Sequence, residues 1–137
     1  MAKDKLHEAV RQVLLNDGWT ITDDPYLLTD YDPEWEVDFG AEKIIAARRG
    51  KRKIAVEVKS FAQQSFAYEF HRVLGQYLNY RVGLQEVERN RVLYLAVPID
   101  VYETEFVRHG IAKSLKAFKV RLLVYHHEEK TVIKWTP

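Results

Sequence analysis

The segment Lys53-Ile54-Ala55-Val56-Glu57-Val58-Lys59 decides the fold. Ile54, Val56 and Val58 alternate with Ala55, Glu57 and Lys59, and successive side chains of a strand point to opposite faces. The pattern therefore predicts a β-strand with one apolar face, whose other face aims a carboxylate and an ammonium the same way. Working back, Gly50 marks a hairpin tip and Ile44-Ile45-Ala46-Ala47 the strand before it. With the tip centred between Gly50 and Lys51, paired positions sum to about 101, which sets Glu57 opposite Ile44 and Lys59 opposite Glu42. Earlier still, Val37 and Phe39 alternate with Glu36 and Asp38 in a strand-like run from Trp35 that Gly40 interrupts.

Outward from the hairpin, residues 66–86 carry Phe66, Phe70, Val73, Leu74, Tyr77 and Leu78 at steps of three and four, the stripe of a long amphipathic helix. Val92 to Val97 is β-branched and aromatic, stops at Pro98, and reads as a buried central strand. A helix is expected around Glu103 to Ala117. Two strands follow, Val120 to Tyr125 and Thr131 to Trp135, separated by the polar turn His126 to Lys130. At the front, Leu6, Val10, Val13 and Leu14 predict a helix over residues 3–16 with Gly18 placed to cap it. Trp19 to Thr22 then form a short β-type run broken by Asp23, Asp24 and Pro25. Helix, strand, hairpin, helix, strand, helix and strands make one α/β domain over residues 1–137, a central mixed sheet flanked by helices.

The chain has 137 residues, 47% hydrophobic and 30% charged, which fits one globular domain with its own core. It has no cysteine, so disulfides, thiolate nucleophiles and Cys-type zinc sites are excluded. Twenty-one basic against 20 acidic residues leave a formal charge of +1. Any surface for nucleic acid must therefore be local. The mixed charges of the first ten residues do not resemble a signal peptide, and no apolar run approaches the roughly 20 residues of a membrane span, so a cytoplasmic protein is expected. No Gly-rich phosphate loop or nucleophile elbow occurs, and the five histidines lack the spacing of a helical metal site.

Asp38, Glu57 and Lys59 form the strongest chemical candidate. On one strand face, Glu57 and Lys59 have Cβ atoms roughly 6 to 7 Å apart. A Mg²⁺ or Mn²⁺ ion held by the carboxylates would then lie within reach of the ammonium, an arrangement suited to phosphodiester hydrolysis. The plainer reading is a same-face ion pair, worth at most about 1 kcal/mol when exposed. The buried flanks, the following long helix and the preceding carboxylate favour the site. Asp38 lies past the hairpin pairing and needs a bend near Gly40 to reach Glu57; Glu42 is the alternative carboxylate. At the tip, Arg48, Arg49, Lys51, Arg52 and Lys53 are either a phosphate-backbone contact or charges that keep an edge strand from pairing.

Several blocks together resemble the XisH family, the fdxN element excision controlling factors of cyanobacteria. They are Val37-Asp38-Phe39-Gly40-Ala41-Glu42-Lys43, Ile54 to Phe61, Leu74-Gly75-Gln76-Tyr77-Leu78-Asn79-Tyr80-Arg81, Lys3 to Val10, Asp17 to Thr22 and Arg91 to Pro98. The resemblance covers nearly the whole chain. It implies a restriction-endonuclease-like PD-(D/E)XK core with Asp38, Glu57 and Lys59 at the acidic and basic positions, although Val37 stands where that signature has Pro. It implies that Gln76 and Tyr80 match a Gln-x-x-x-Tyr element, with Arg72 one turn earlier on the same helix face. Glu8 matches a position from which relatives bring another carboxylate to the metal. The implied function is control of site-specific DNA excision, through Mg²⁺-dependent hydrolysis or as a non-catalytic accessory. DNA, an XisI-like companion, a site-specific recombinase and a second copy of the chain are the expected partners. Glu57→Ala and Lys59→Ala are expected to abolish cleavage with the fold intact.

Overall fold

The computed structural model describes residues 2–27, 44–61 and 65–137. Its sheet has six strands in chain order: β1 (Thr20–Asp23), β2 (Ile44–Arg49), β3 (Arg52–Val58), β4 (Arg91–Pro98), β5 (Leu122–His126) and β6 (Thr131–Trp135). β1–β2, β2–β3 and β5–β6 pair antiparallel, whereas β3–β4 and β4–β5 pair parallel. The hairpin turns at Gly50, whose φ of +62° suits a residue without a Cβ, and Ile44 pairs with Glu57, the register expected from the tip. Asp38, Glu42 and the strand expected from Trp35 lie outside the described residues.

The alternation along β3 separates two cores. Helix α2 (Phe66–Val87) lies on the face of Ala55, packing Phe70, Val73, Tyr77 and Leu84 against Leu93, Leu95 and Val97 of β4. Its first turn is capped by Ser65, whose hydroxyl accepts from the Tyr68 N–H at 3.2 Å. The opposite face, with Ile54, Val56, Val58, Tyr94 and Ala96, takes Val10, Val13 and Leu14 of α1 (Ala2–Asn16). Gly18, at φ +89°, ends α1 in a Schellman turn: its N–H bonds Leu15 O at 3.1 Å, and that of Trp19 bonds Leu14 O at 3.0 Å. β4 is apolar on both faces because both are covered and both neighbours run parallel to it.

The helix expected over 103–117 is broken. A single turn, α3 (Ile99–Val101), widens into a π-helical segment (Tyr102–Phe106), and α4 (His109–Ala117) starts anew after Arg108, whose backbone is extended. The break lets Phe106 enter a ring cluster, with centroids 5.2 Å from Phe61, 5.7 Å from Phe66 and 6.0 Å from Phe70. α4 then sets Ile111 and Leu115 against the same core. An unbroken helix could not serve both contacts.

Two buried tyrosines make a paired test of polar burial. The Tyr77 hydroxyl donates to Leu93 O at 2.8 Å and accepts from the Arg121 N–H at 3.0 Å, joining α2 to β4 and to the start of β5. The Tyr125 hydroxyl is equally buried but has no hydrogen-bond partner among the described residues, and burial pushes its ionisation up. Tyr77→Phe is therefore expected to cost about 1 to 3 kcal/mol in urea unfolding, and Tyr125→Phe to be neutral or stabilising by up to about 1 kcal/mol. A Tyr125→Phe variant as damaged as Tyr77→Phe would contradict this assignment.

Candidate functional site

Glu57 occupies the penultimate position of β3, between Ile44 of β2 and Leu95 of β4, and Lys59 follows the strand's last residue. Both side chains point toward α2. Lys59 Nζ lies 3.4 Å from Glu57 Oε2 and donates to Gln76 Oε1 at 2.5 Å. The Glu57 side chain is 0% exposed and that of Lys59 1%. Taking two charges this far from water costs several kcal/mol per ion, and an apolar pair of similar volume would hold the sheet together as well or better. Stability alone gives no reason for this pair, which makes it the candidate functional group of the fold.

Gln76 sits in the middle of α2, one turn after Arg72 and one before the buried Tyr80, so the three expected α2 residues share a face. Arg72 reaches both oxygens of Glu69, at 3.4 and 3.5 Å. Glu69, only 6% exposed in its side chain, is a buried carboxylate that sequence reasoning missed. The signal was its spacing: residues 69, 73, 76 and 80 follow the inward period of the helix.

Other expected residues lie elsewhere. Glu8 is exposed on α1, which packs on the opposite face of the sheet, and it lines a groove with Lys5, His127 and Lys130. The structure does not bring it to Glu57. His7 is bonded to Asp24 at 2.8 Å, an acceptor it shares with Arg11. The basic tip lies at the other end of β3, with Arg52 and Lys59 roughly 23 Å apart at about 3.3 Å per residue. Arg49 donates to Asp17 O at 2.7 Å and lies 4.5 Å over the Trp19 ring, Arg52 lies 5.5 Å from the same ring, and Lys53 is 3.6 Å from Glu88. Arg48 and Lys51 are exposed.

Among the described residues no three acidic or histidine side chains converge as a metal cage. They supply one central carboxylate, Glu57. That is compatible with Mg²⁺, which commonly takes one or two carboxylates and keeps several waters.

The XisH family model matches residues 1–133. The chain belongs to the XisH family. Two crystal structures are similar to it over almost their full lengths. An fdxN element excision controlling factor protein from Anabaena variabilis is 44% identical, with 98% of this chain and 99% of that one covered and a TM-score of 0.85. An XisH family protein from Nostoc punctiforme PCC 73102 is 39% identical, covering 98% and 100%, with a TM-score of 0.86. No curated protein matches. The six-stranded mixed sheet with helices on both faces is thus a fold that this XisH chain shares with its relatives. No helix among the described residues is long and apolar enough to cross a membrane.

Proposed function

We propose that this XisH protein acts on DNA in the control of site-specific excision, and that it hydrolyses a phosphodiester bond with Mg²⁺ or Mn²⁺ in a restriction-endonuclease-like core. The observation that carries the proposal is the buried trio at the end of β3, with Lys59 Nζ held between the Glu57 carboxylate and Gln76 Oε1. The Anabaena variabilis relative is described as an excision controlling factor, which gives the biological setting.

In this reading Glu57, with Asp38 and the carbonyl of Val58, holds the metal. A divalent ion bound there would acidify a water and offset charge on the scissile phosphate. Lys59 orients the attacking water and donates to the phosphate oxygen as negative charge develops. Gln76 fixes the Lys59 rotamer through its oxygen, and Arg72 and Tyr80 support the substrate. Arg48, Arg49, Lys51 and Arg52 contact the backbone roughly 23 Å away, about two-thirds of a turn along B-form DNA. Two cuts need two sites, so a dimer is the expected working unit.

A second reading draws on burial. Glu57 and Lys59 are closed to solvent, as suits an accessory that keeps the fold to bind DNA or an XisI-like companion and direct a separate recombinase. Purified protein, alone and with its companion, incubated with labelled linear, branched and supercoiled DNA in Mg²⁺ or Mn²⁺, separates the two. Cleavage lost in Glu57→Gln supports hydrolysis; binding without cleavage under every condition supports the accessory.

A further inference from the structure

The outward face of α2 lacks the charge that a surface helix normally carries opposite its apolar stripe. In a chain that is 30% charged, none of the exposed α2 residues from Phe66 to Gln85 is Lys, Arg, Asp or Glu. The charged residues of that stretch are buried or partly buried. Glu69 is internal, Arg72 lies 3.4 Å from it, and Arg81 donates to Lys119 O at 2.9 Å. The outward face holds Tyr68, His71, Gly75, Asn79 and Val82 instead, all within about 40° of Gly75 at 3.6 residues per turn.

Gly75 stands at the centre of this face. Glycine inside a helix weakens it relative to alanine, because its backbone loses more freedom on folding. A Cβ added at Gly75 meets no atom within 4 Å among the described residues, so packing within the chain gives no reason for the glycine. A missing Cβ on an exposed helix face lets a second backbone come close. The residues around it are also symmetric. Tyr68, 67% exposed, and Val82, 55% exposed, stand seven positions before and after Gly75, close to two turns each way. His71 and Asn79 stand four positions before and after it.

We infer that this face docks on the same face of a second copy of the chain, the two α2 helices crossing antiparallel at Gly75 about a two-fold axis. Such an axis brings Tyr68 of each copy to Val82 of the other, and His71 to Asn79, so the surface complements itself as a two-fold interface must. It also carries Glu86, the exposed carboxylate that follows Val82 on this face, toward the end of the other helix, where Arg108 lies beside His71 and is 67% exposed in its side chain. A face without Lys or Arg does not suit a nucleic-acid backbone, whereas few charges and an exposed aromatic ring mark the centre of protein interfaces. Gln76 follows Gly75 and accepts from Lys59, so the helix pair lies between the two β3 trios. The inference goes beyond the dimer expected for two cuts by naming its face, and it stands whether or not the β3 site cleaves DNA.

Sedimentation equilibrium of the purified full chain over a range of concentrations tests this, with a monomer–dimer equilibrium as the expected result. Gly75→Glu places a good helix former in open space, so dilute protein should keep its fold with Tm unchanged or raised. The same change sets two carboxylates face to face at the axis and should weaken dimerisation by at least about tenfold. Tyr68→Lys and Val82→Glu should each weaken it as well. Tyr68→Lys/Val82→Glu, which puts opposite charges together at both copies of the contact, should dimerise more tightly than either single variant. Three results overturn the inference: a chain that stays monomeric at every concentration, as it does if a different protein covers this face; a dimer that Gly75→Glu leaves unchanged; or a double variant no tighter than the single ones.

Discussion

Lys59→Met is expected to lower metal-dependent DNA cleavage by about 10³-fold and to destabilise the fold by about 3 kcal/mol, while Glu57→Leu/Lys59→Met recovers the stability and none of the cleavage. Both side chains are buried, and their charged atoms lie 3.4 Å apart. Removing the ammonium takes the positive charge 3.4 Å away from a carboxylate in the interior, a damaging way to break an internal pair. Replacing both side chains together leaves no buried carboxylate at position 57 parted from the Lys59 ammonium, and apolar groups there suit the neighbours Ala55, Leu93 and Leu95. The single variants are therefore not structurally silent, as a surface pair would be, and cleavage must be compared at a temperature where each variant is folded. Urea midpoints and cleavage rates on the three proteins check the prediction. A double variant less stable than either single variant would refute the packing argument.

The second large effect lies at the opposite end of β3. Arg91, 7% exposed in its side chain, makes two hydrogen bonds with Glu88, at 2.9 Å each, and donates to Ile54 O at 2.9 Å. Tyr26 donates to the same Glu88 at 2.8 Å and lies under the Arg91 guanidinium, 5.0 Å away. This clasp ties the segment after β1, the end of α2 and the adjacent starts of β3 and β4. Glu88→Ala leaves Arg91 buried without its bidentate partner, and because Glu88 itself is partly exposed the expected loss is about 2 to 3 kcal/mol. The hydrogen bonds from Arg91 hold the Glu88 carboxyl below its ordinary 4.5. Its stabilising contribution is thus full above that value and is lost as pH falls through the lower, folded-state value. Burial, then the bond to Glu88, pushes Tyr26 from 10.0 up to about 12, so its contribution is full below pH 10 and fades as pH rises toward 12. Urea unfolding against pH should show wild-type stability falling at both ends, with the acid arm shallower in Glu88→Ala. An identical acid arm in the two proteins would contradict the role of Glu88.

Much of this was legible in the sequence because two periods dominate it. The alternation from Ile54 to Lys59 gave the faces of β3, and the position of Gly50 gave the pairing of Glu57 with Ile44. Steps of three and four placed α1 and α2 to within a residue or two. What local pattern could not show is how far a charge is buried. Lys59 and Glu69 are residue types normally solvated, and only the covering helix and its ion pairs make them internal. Nor does spacing say which face a helix takes, so Glu8 matched a ligand position by resemblance while α1 packed on the other side of the sheet. The break at Arg108 escaped for a related reason: residues 103–117 satisfy a helical period, but the aromatic cluster around Phe106 sets the backbone there. The distance from the basic tip to Lys59, by contrast, was countable along β3 from the start.

Glu57 is expected to anchor a divalent metal beside Lys59. Calorimetric titration of Mn²⁺ into the protein with a non-cleavable DNA duplex tests it most directly, comparing wild type with Glu57→Gln and Gln76→Ala. One saturable site per chain, lost in Glu57→Gln and kept in Gln76→Ala, is the predicted result. Mn²⁺ binding that Glu57→Gln leaves unchanged, or no binding to the wild type, would contradict it.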